Sequence, residues 1–182
     1  MIITLTINPA IDKSVIAGQI VPEKKIRCYS MLVDAGGGGI NVSKAIAELG
    51  GTSHCIFPRG GHNGQIVENL LHQKGIACST VTVAAETRES IHIRNAATNA
   101  QYRFMLPGAS LSEQETQTVW NLLECMDPFP EYVVASGSLP AGVPDDFYGK
   151  LSILCMIKGA RLILDTSGLP LLEGGQSWSV PA

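Results

Sequence analysis

Short runs rich in β-branched residues alternate with segments of helical periodicity along most of this chain. The candidate strands are the runs at 2–8, 53–57, 76–83, 131–137 and 161–165. Strands that alternate with helices imply a mainly parallel sheet covered on both faces, because right-handed crossovers place the helices there. The alternation therefore predicts an α/β fold with a three-layer core, and it constrains the architecture more than any other feature.

Four helices are predicted from the sequence, the last of them from Asp145 through Leu151 and Leu154 to Gly159. Ile40, Ala45, Ile46 and Leu49 recur at helical spacing after four glycines, and Gly50-Gly51 supplies a stop. A second helix, around residues 66–71, is predicted to end at Gly75. Ser112 and Glu115 have capping-box spacing, which predicts the start of a third.

A hairpin interrupts the alternation. Residues 90–108 read as two extended runs about an "ATNA" turn, and two earlier extended pieces lie near 11–16 and 25–33. We expect these four pieces to form a small second sheet that acts as a β lid. Since no linker-like stretch is visible, the prediction is one domain with a core at 1–10, 35–87 and 107–182 and a lid at approximately 11–34 and 88–106.

Composition excludes several classes of function. The 182 residues carry 13 basic and 16 acidic side chains, a net charge of −3, without a basic stripe, so no nucleic-acid or membrane partner is predicted. No apolar run is long enough for a membrane span and no charged leader is visible, so a cytoplasmic protein is expected. Five scattered cysteines without CxxC spacing and four histidines without ligand spacing predict no disulfide framework and no metal site.

The four glycines at 36–39 raise the question of which ligand needs the backbone so close. A Walker-type loop fails because Lys44 follows Ser43 within the helix, and a GxGxxG fingerprint fails because its last position falls on Asn41 or Val42. Glycines before a helix still let backbone N–H groups approach a polar or anionic small molecule. The alternative is a hinge between the main sheet and the lid, and the two uses are compatible.

In their order, seven segments resemble the ribokinase-like (PfkB-type) carbohydrate kinases. The segments are "TINPAID", "KIRC", "GGGGINVSKAIAELGG", "TRESIHIR", "QYRFMLPG", "SGSLPAGV" and "LILDTSG", from Thr6 to Gly168. Branches of the family that act on fructose 1-phosphate or tagatose 6-phosphate have a lysine at the third glycine position. This sequence has Gly38 there, which resembles the 6-phosphofructokinase branch.

The resemblance implies the fold, the reaction and the partners. It implies a ribokinase-like α/β/α core, a β lid that doubles as a homodimer interface, and transfer of a phosphoryl group from ATP, with Mg²⁺, to the 1-hydroxyl of fructose 6-phosphate in glycolysis. The family's nucleotide site and its "GAGD" motif, whose aspartate is the catalytic base, lie in the second half of the fold. Neither is found in this sequence.

The resemblance also implies which residues bind the sugar phosphate. Asp12 matches an aspartate that accepts hydrogen bonds from sugar hydroxyls, and the basic positions match groups around the phosphate. Each has a plainer interpretation: Asp12 as a turn residue, Asn41 as a cap of its own helix, Ser138 as a turn serine and the cations as solvated surface charges. The matched positions are Asp12, Lys25, Arg27, Gly37, Gly38, Gly39, Asn41, Arg88, Arg103 and Ser138.

We therefore expect this chain to be the substrate-binding half of a sugar-phosphate kinase, with the C-terminal half of the fold missing and no turnover by these residues alone. The alternative within the enzyme class is a fructose-1-phosphate or tagatose-6-phosphate kinase. The alternative of another class is a non-catalytic fragment that binds sugar phosphate or only dimerises.

Overall fold

The computed structural model describes residues 1–108 and 110–176. Within these ranges the strands are Ile2–Leu5 (β1), Ala10–Ala17 (β2), Cys28–Gly36 (β3), His54–Gly60 (β4), Ala77–Val83 (β5), Arg88–Asn95 (β6), Gln101–Met105 (β7), Tyr132–Ser136 (β8) and Arg161–Asp165 (β9). The helices are Gly38–Glu48 (α1), Gly61–Gln73 (α2), Glu113–Glu124 (α3), Phe147–Ile157 (α4) and Leu169–Gln176 (α5).

A five-stranded sheet, the main sheet, forms the centre of the molecule. Its order is β5-β4-β1-β8-β9, and every neighbouring pair is parallel. From β1 the chain builds outward first through β4 and β5 on one side and later through β8 and β9 on the other. The predicted α/β class with a mainly parallel sheet is therefore confirmed.

Helices cover both faces of the main sheet, which makes three layers. Along β4, Cys55 and Phe57 pack into one hydrophobic core with residues of α1 and α2, whereas Ile56 packs into the other core with residues of α3 and α4. Successive side chains of a strand point to opposite faces, so a strand covered on both sides reads as a continuous apolar run. This explains why the central strands could be recognised in the sequence.

A second sheet of four strands, in the order β3-β2-β6-β7, lies outside the main sheet. The two hairpins β2-β3 and β6-β7 are antiparallel, and β2 pairs with β6 in parallel. The predicted hairpin and its association with the two early extended pieces are confirmed. The division into a core and a lid at the residue bounds given above stays a prediction.

The helices follow the local sequence signals, with two differences: one at the end of α1 and one additional helix. The capping box of Ser112 and Glu115 is present, and Gly50 and Gly75 take the left-handed conformation with φ of 80° and 70°. Leu49, however, is 88% exposed, so it does not join the buried face of α1. α5 was not anticipated from the sequence. None of the described helices is both long and apolar enough to cross a lipid bilayer.

Candidate functional site

The glycine-rich start of α1 lies at the carboxyl ends of β1 and β8. A methyl group on Gly39 would overlap the carbonyl oxygen of Leu5, the last residue of β1, and one on Gly38 would overlap the hydroxyl of Ser136, the last residue of β8. The chain adds β4 and β5 on one side of β1, and β8 and β9 on the other. The connections therefore diverge between β1 and β8, and this is the topological switch point at which open α/β sheets bind their ligands. Glycine is required here because the helix presses directly on the strand ends.

The first turn of α1 leaves backbone donors available. Gly37 precedes the helix with φ of 128°, no side chain caps it, and no acidic residue lies in the first turn. The Thr6 hydroxyl accepts the N–H of Ile40 at 2.9 Å, whereas the N–H groups of Gly38 and Gly39 have no acceptor within the helix. A helix start with free N–H groups and a partial positive charge favours an anion or a polar ligand.

Arg88, the first residue of β6, brings a cation to the same edge. Its side chain is partly buried, Nη2 donates to the carbonyl oxygen of Asn8 over a long 3.4 Å, and Nε has no partner within the described residues. Burial lowers the pKa of Arg88, while the negative charge of Asp12 acts in the opposite direction. The guanidinium stays charged at any ordinary pH, so it holds donors that a phosphate or carboxylate could accept from.

Asp12 lies on the same face of the second sheet as Arg88. In the β2-β6 register Ala10 pairs with Arg88 and Asp12 pairs with Ser90, whose buried hydroxyl also has no partner in the described part of the chain. A methyl group on Gly36 would come within 2.5 Å of the Asp12 carboxylate, so that glycine gives the carboxylate its space. An acceptor and a cation side by side suit a ligand that carries both hydroxyl and anionic groups.

Ser138 joins this group through Asn8. The amide of Asn8 donates to the Ser138 hydroxyl at 3.2 Å, while its carbonyl oxygen accepts from Arg88. Ser136, behind Gly38, donates to the carboxylate of Asp165 at 2.8 Å. The structure therefore brings Asp12, Gly37, Gly38, Gly39, Arg88 and Ser138 to one edge of the main sheet.

Sequence reasoning missed four residues of this edge as site residues. They are polar side chains that lie at the last position of a strand or shortly after it: Thr6, Asn8, Ser136 and Asp165. The available signal was their position, because the carboxyl ends of parallel strands meet at one edge. Asn8 closes the predicted strand at 2–8 and directly precedes Pro9.

The other four predicted residues place no side chain in this group, although the backbone N–H of Asn41 donates to the carbonyl oxygen of Gly37 at 2.9 Å. Arg103 lies on the exposed strand β7, and its register partner on β6 is His92, which in turn pairs with Ser14 on β2. Arg103 is therefore two strands across and two residues along from Asp12, a separation of roughly 12 Å. Asn41 is exposed, and among the described residues its side chain makes no hydrogen bond, so the self-capping alternative is not observed.

Lys25 and Arg27 are exposed in the loop that joins β2 to β3. That loop lies at the end of the second sheet away from Asp12, since the five residues from Asp12 to Ala17 span roughly 17 Å along the strand. These two cations therefore do not reach the site of their own chain.

Together, the three-layer fold and the group of polar side chains at its switch point define a class, the open α/β proteins that bind ligands at the carboxyl edge of the sheet. A family model described as "pfkB family carbohydrate kinase" matches residues 2–176. The chain belongs to this family, and the resemblance that its motifs carry is confirmed.

Individual relatives are similar over almost the whole chain. The chain is 42% identical over 167 residues, 92% of its length, to ATP-dependent 6-phosphofructokinase isozyme 2 of Mycobacterium tuberculosis, of which this covers 49%. It is 36% identical over 170 residues, 93% of its length, to 1-phosphofructokinase of Xanthomonas campestris pv. campestris, covering 54% of that protein.

A solved structure gives the same fold. Phosphofructokinase-2 of Escherichia coli in complex with fructose 6-phosphate matches with a TM-score of 0.90 and 38% identity, over 97% of this chain and 58% of that one. The chain thus spans about half the length of the curated relatives it matches.

Proposed function

We propose that this chain forms the sugar-phosphate-binding half of an ATP-dependent kinase that phosphorylates the 1-hydroxyl of fructose 6-phosphate. The observation that carries the proposal is the Arg88 guanidinium, partly buried beside Asp12 with Nε unpartnered in the described structure. A cation held partly out of water with spare donors is costly unless a ligand pairs with it. A sugar phosphate supplies the anion for Arg88 and hydroxyls for Asp12.

Each group of the edge has a role in this proposal. Asp12 accepts from neighbouring sugar hydroxyls and fixes the ring. The N–H groups of Gly38 and Gly39, with Ser138, hold the hydroxyl end of the sugar, and Arg88 pairs with the phosphate. Phosphoryl transfer depends mainly on positioning and charge stabilisation, so these residues contribute orientation.

ATP and Mg²⁺ belong to this proposal as co-substrates of the whole enzyme. Within residues 1–108 and 110–176, the group of three potential metal ligands lies on α2 and β5 and not at the carboxyl edge. The residues of the edge do not by themselves form a Mg²⁺ site. We propose that the nucleotide is held by parts of the family fold that this chain does not span.

Gly38 supports the choice of sugar. A side chain at this position would meet the Ser136 hydroxyl and backbone carbon, and Ser136 is 3% exposed and hydrogen-bonded to Asp165. The lysine of the fructose-1-phosphate and tagatose-6-phosphate branches therefore has no room here. We propose fructose 6-phosphate as the preferred ligand for this reason.

We further propose that the second sheet acts as a lid and pairs with its copy in a homodimer. Support comes from exposed apolar side chains concentrated on β3 and β7 and just after β7, since patches of this kind mark protein interfaces. Lys25 and Arg27 would then approach the site of the partner. The exposed side chains are Tyr29, Met31, Leu32, Tyr102, Phe104, Met105 and Leu106.

Calorimetry tests the binding. Fructose 6-phosphate should bind the 182-residue chain, and Arg88→Ala should weaken binding at least tenfold, since a charge-assisted pair contributes about 1.5–3 kcal/mol. Arg161→Ala is the matched control, because Arg161 is exposed at the amino end of β9. Equal binding of fructose 6-phosphate, fructose 1-phosphate and tagatose 6-phosphate would refute the proposed preference.

A coupled ATP-dependent assay on the same protein tests catalysis. We expect binding without turnover, because the sequence lacks the "GAGD" motif. Turnover by the purified 182 residues would show that the base lies within them. Turnover that returns when a polypeptide spanning the rest of a family member is added would identify the chain as half of an enzyme; its absence would favour a non-catalytic binding module.

Sedimentation tests the dimer. Leu32→Lys places a charge on the exposed face of β3 and should shift the protein to a monomer, whereas Leu49→Lys, equally apolar and exposed at the end of α1, should not. A wild-type protein that sediments as a monomer at all accessible concentrations would rule out the interface.

A further inference from the structure

Three side chains with metal-binding atoms converge on the outer edge of the main sheet, near the amino end of the edge strand β5 and so away from the carboxyl edge. Glu68 and His72 lie one turn apart on α2, and Cys78 lies on the adjoining edge strand β5. Their ligand atoms all lie within 4.8 Å of one another, and Cys78 Sγ is 3.3 Å from His72 Nε2. Residues four apart on a helix share one face, so the helix geometry itself brings the first two together.

We propose that Glu68, His72 and Cys78 form a site for a divalent cation of the zinc class, with water as the fourth ligand. Carboxylate, imidazole and thiolate are the three donors that zinc takes from proteins, in a tetrahedral arrangement. With Zn–S and Zn–N bonds of about 2.3 and 2.0 Å, the S···N edge of the tetrahedron is roughly 3.5 Å. The observed 3.3 Å already matches that edge.

Neighbouring polar groups hold the carboxylate in place. The Thr80 hydroxyl donates to Glu68 Oε1 at 3.2 Å, and Arg59 and Gln65 donate to Oε2 at 2.9 and 3.1 Å. Ligating carboxylates in proteins are supported by hydrogen bonds of this kind. Oε1 carries only the weak Thr80 contact among these, so it is the oxygen that turns to the metal while Arg59 keeps Oε2.

The site depends on tertiary structure, which is why cysteine and histidine spacing in the sequence predicted no metal. The cysteine comes from a different element than the helix pair, and its register partner on β4 is Cys55, a buried thiol on the same face of the main sheet. The proposal is independent of the kinase function. A bound metal would tie α2 to the edge strand β5, which pairs with β4 in the main sheet.

Binding must release a proton, because the ligand is the thiolate. The metal displaces the proton of the Cys78 thiol when it binds.

Titration of the reduced protein with Co²⁺, followed by absorption, tests the site. Wild type should develop a thiolate-to-metal charge-transfer band, which Zn²⁺ then removes by displacement. Cys78→Ser should abolish the band, and His72→Gln should weaken binding at least tenfold. Cys125→Ser and His62→Gln are the controls, because both residues are exposed elsewhere, and neither should change the titration.

A circular dichroism spectrum of each variant checks that it is folded. If Cys78→Ser does not fold, His72→Gln provides the test, because His72 is exposed on the helix surface. A charge-transfer band that survives Cys78→Ser, or Zn²⁺ affinity unchanged by both Cys78→Ser and His72→Gln, would overturn the proposal. Metal binding lost in His72→Gln without any thiolate band in wild type would also overturn it, since the thiolate is part of the site.

Discussion

The two sheets of this protein differ in how their apolar side chains are covered. The central strands of the main sheet are buried on both faces, so that Ile3, Leu5 and Ile56 are all 0% exposed. The second sheet keeps large apolar side chains in contact with solvent, among them Met31 at 70% and Phe104 at 50% exposure. The centre of the main sheet is covered within the chain, although Ile163 on its edge strand β9 is 53% exposed, whereas the second sheet exposes apolar side chains over two of its strands.

This difference assigns separate roles to the two sheets. Free energy of folding comes mainly from apolar area removed from water, so the main sheet should determine stability. The second sheet contributes Asp12 and Arg88 to the carboxyl edge through β2 and β6, and it meets the main sheet at the glycines before α1. Substitutions in the two sheets should therefore have effects of very different size, and four of them measure the difference.

Leu5→Ala should have the largest effect. The side chain is fully buried in the core beneath α3 and α4, and removing it leaves a cavity that β1, hydrogen-bonded on both sides, cannot close. We expect a loss of about 2–5 kcal/mol in the free energy of unfolding, measured by urea denaturation. A loss below 1 kcal/mol would mean that the main sheet does not dominate stability.

Gly39→Ala should come next. Alanine normally favours a helix over glycine by about 0.5–1 kcal/mol, but here its methyl group would overlap the backbone carbonyl of Leu5. Backbone atoms of a central strand cannot move aside, so we expect a net loss of about 1–3 kcal/mol. Gly18→Ala is the control, because nothing lies within 4 Å of its added methyl group. If both variants unfold at the same urea concentration, the close approach of α1 to the sheet is incorrect.

The main sheet and the start of α1, which these two variants probe, also show how much of the fold local sequence patterns predict. Strands such as 53–57 were recognisable because both faces are apolar, and the helix starts were recognisable from Ser112 and the glycines. The strand at 54–60 runs three residues further than predicted and includes Pro58, because its pairing with β5 overrides the turn preference of proline. Long-range pairing of this kind is not written in local periodicity.

The candidate site likewise has features that the sequence predicts and features that only long-range contacts explain. The need for glycine was visible, but its physical reason was not: Gly38 and Gly39 are required by Ser136 and Leu5, which lie far away in sequence. Arg88 and Asp12 could be proposed from the resemblance, and only the β2-β6 register brings them to one face. Lys25 and Arg27 lie at the opposite end of that sheet, so their role stays a prediction.

Asp34→Asn tests the connection between the sheets. Asp34 on β3 pairs with Lys44 of α1 at 2.8 Å and with Lys74 at 3.5 Å. Burial by itself raises the pKa of Asp34, but the hydrogen bond and charge of Lys44, with help from Lys74, lower it overall below 3.8. We expect Asp34→Asn to cost about 0.5–1 kcal/mol at pH 7.

The pH dependence of that cost follows from linkage. A carboxyl whose pKa is lower in the folded state stabilises the protein above the unfolded value, and the stabilisation is lost as pH falls through the folded value. The difference between wild type and Asp34→Asn should thus be fully present well above pH 3.8 and decrease as the pH falls below 3.8, as measured by urea denaturation at each pH. A difference that stays constant as the pH falls well below 3.8 would contradict the ion pair.

Phe104→Ala should have the smallest effect on a single chain. Half of the side chain is already exposed on β7, so truncation in the monomeric Leu32→Lys background should change the free energy of unfolding by no more than about 0.5 kcal/mol. In the wild-type background at high protein concentration, the same truncation should cost more, because an interface adds the burial that the chain lacks. Urea denaturation of both backgrounds at low and high concentration separates the two cases.

Two outcomes would contradict this expectation. Equal costs in both backgrounds would mean that the apolar surface of the second sheet is not covered by a second copy. A loss of several kcal/mol in the monomer would show that β7 belongs to the folding core after all.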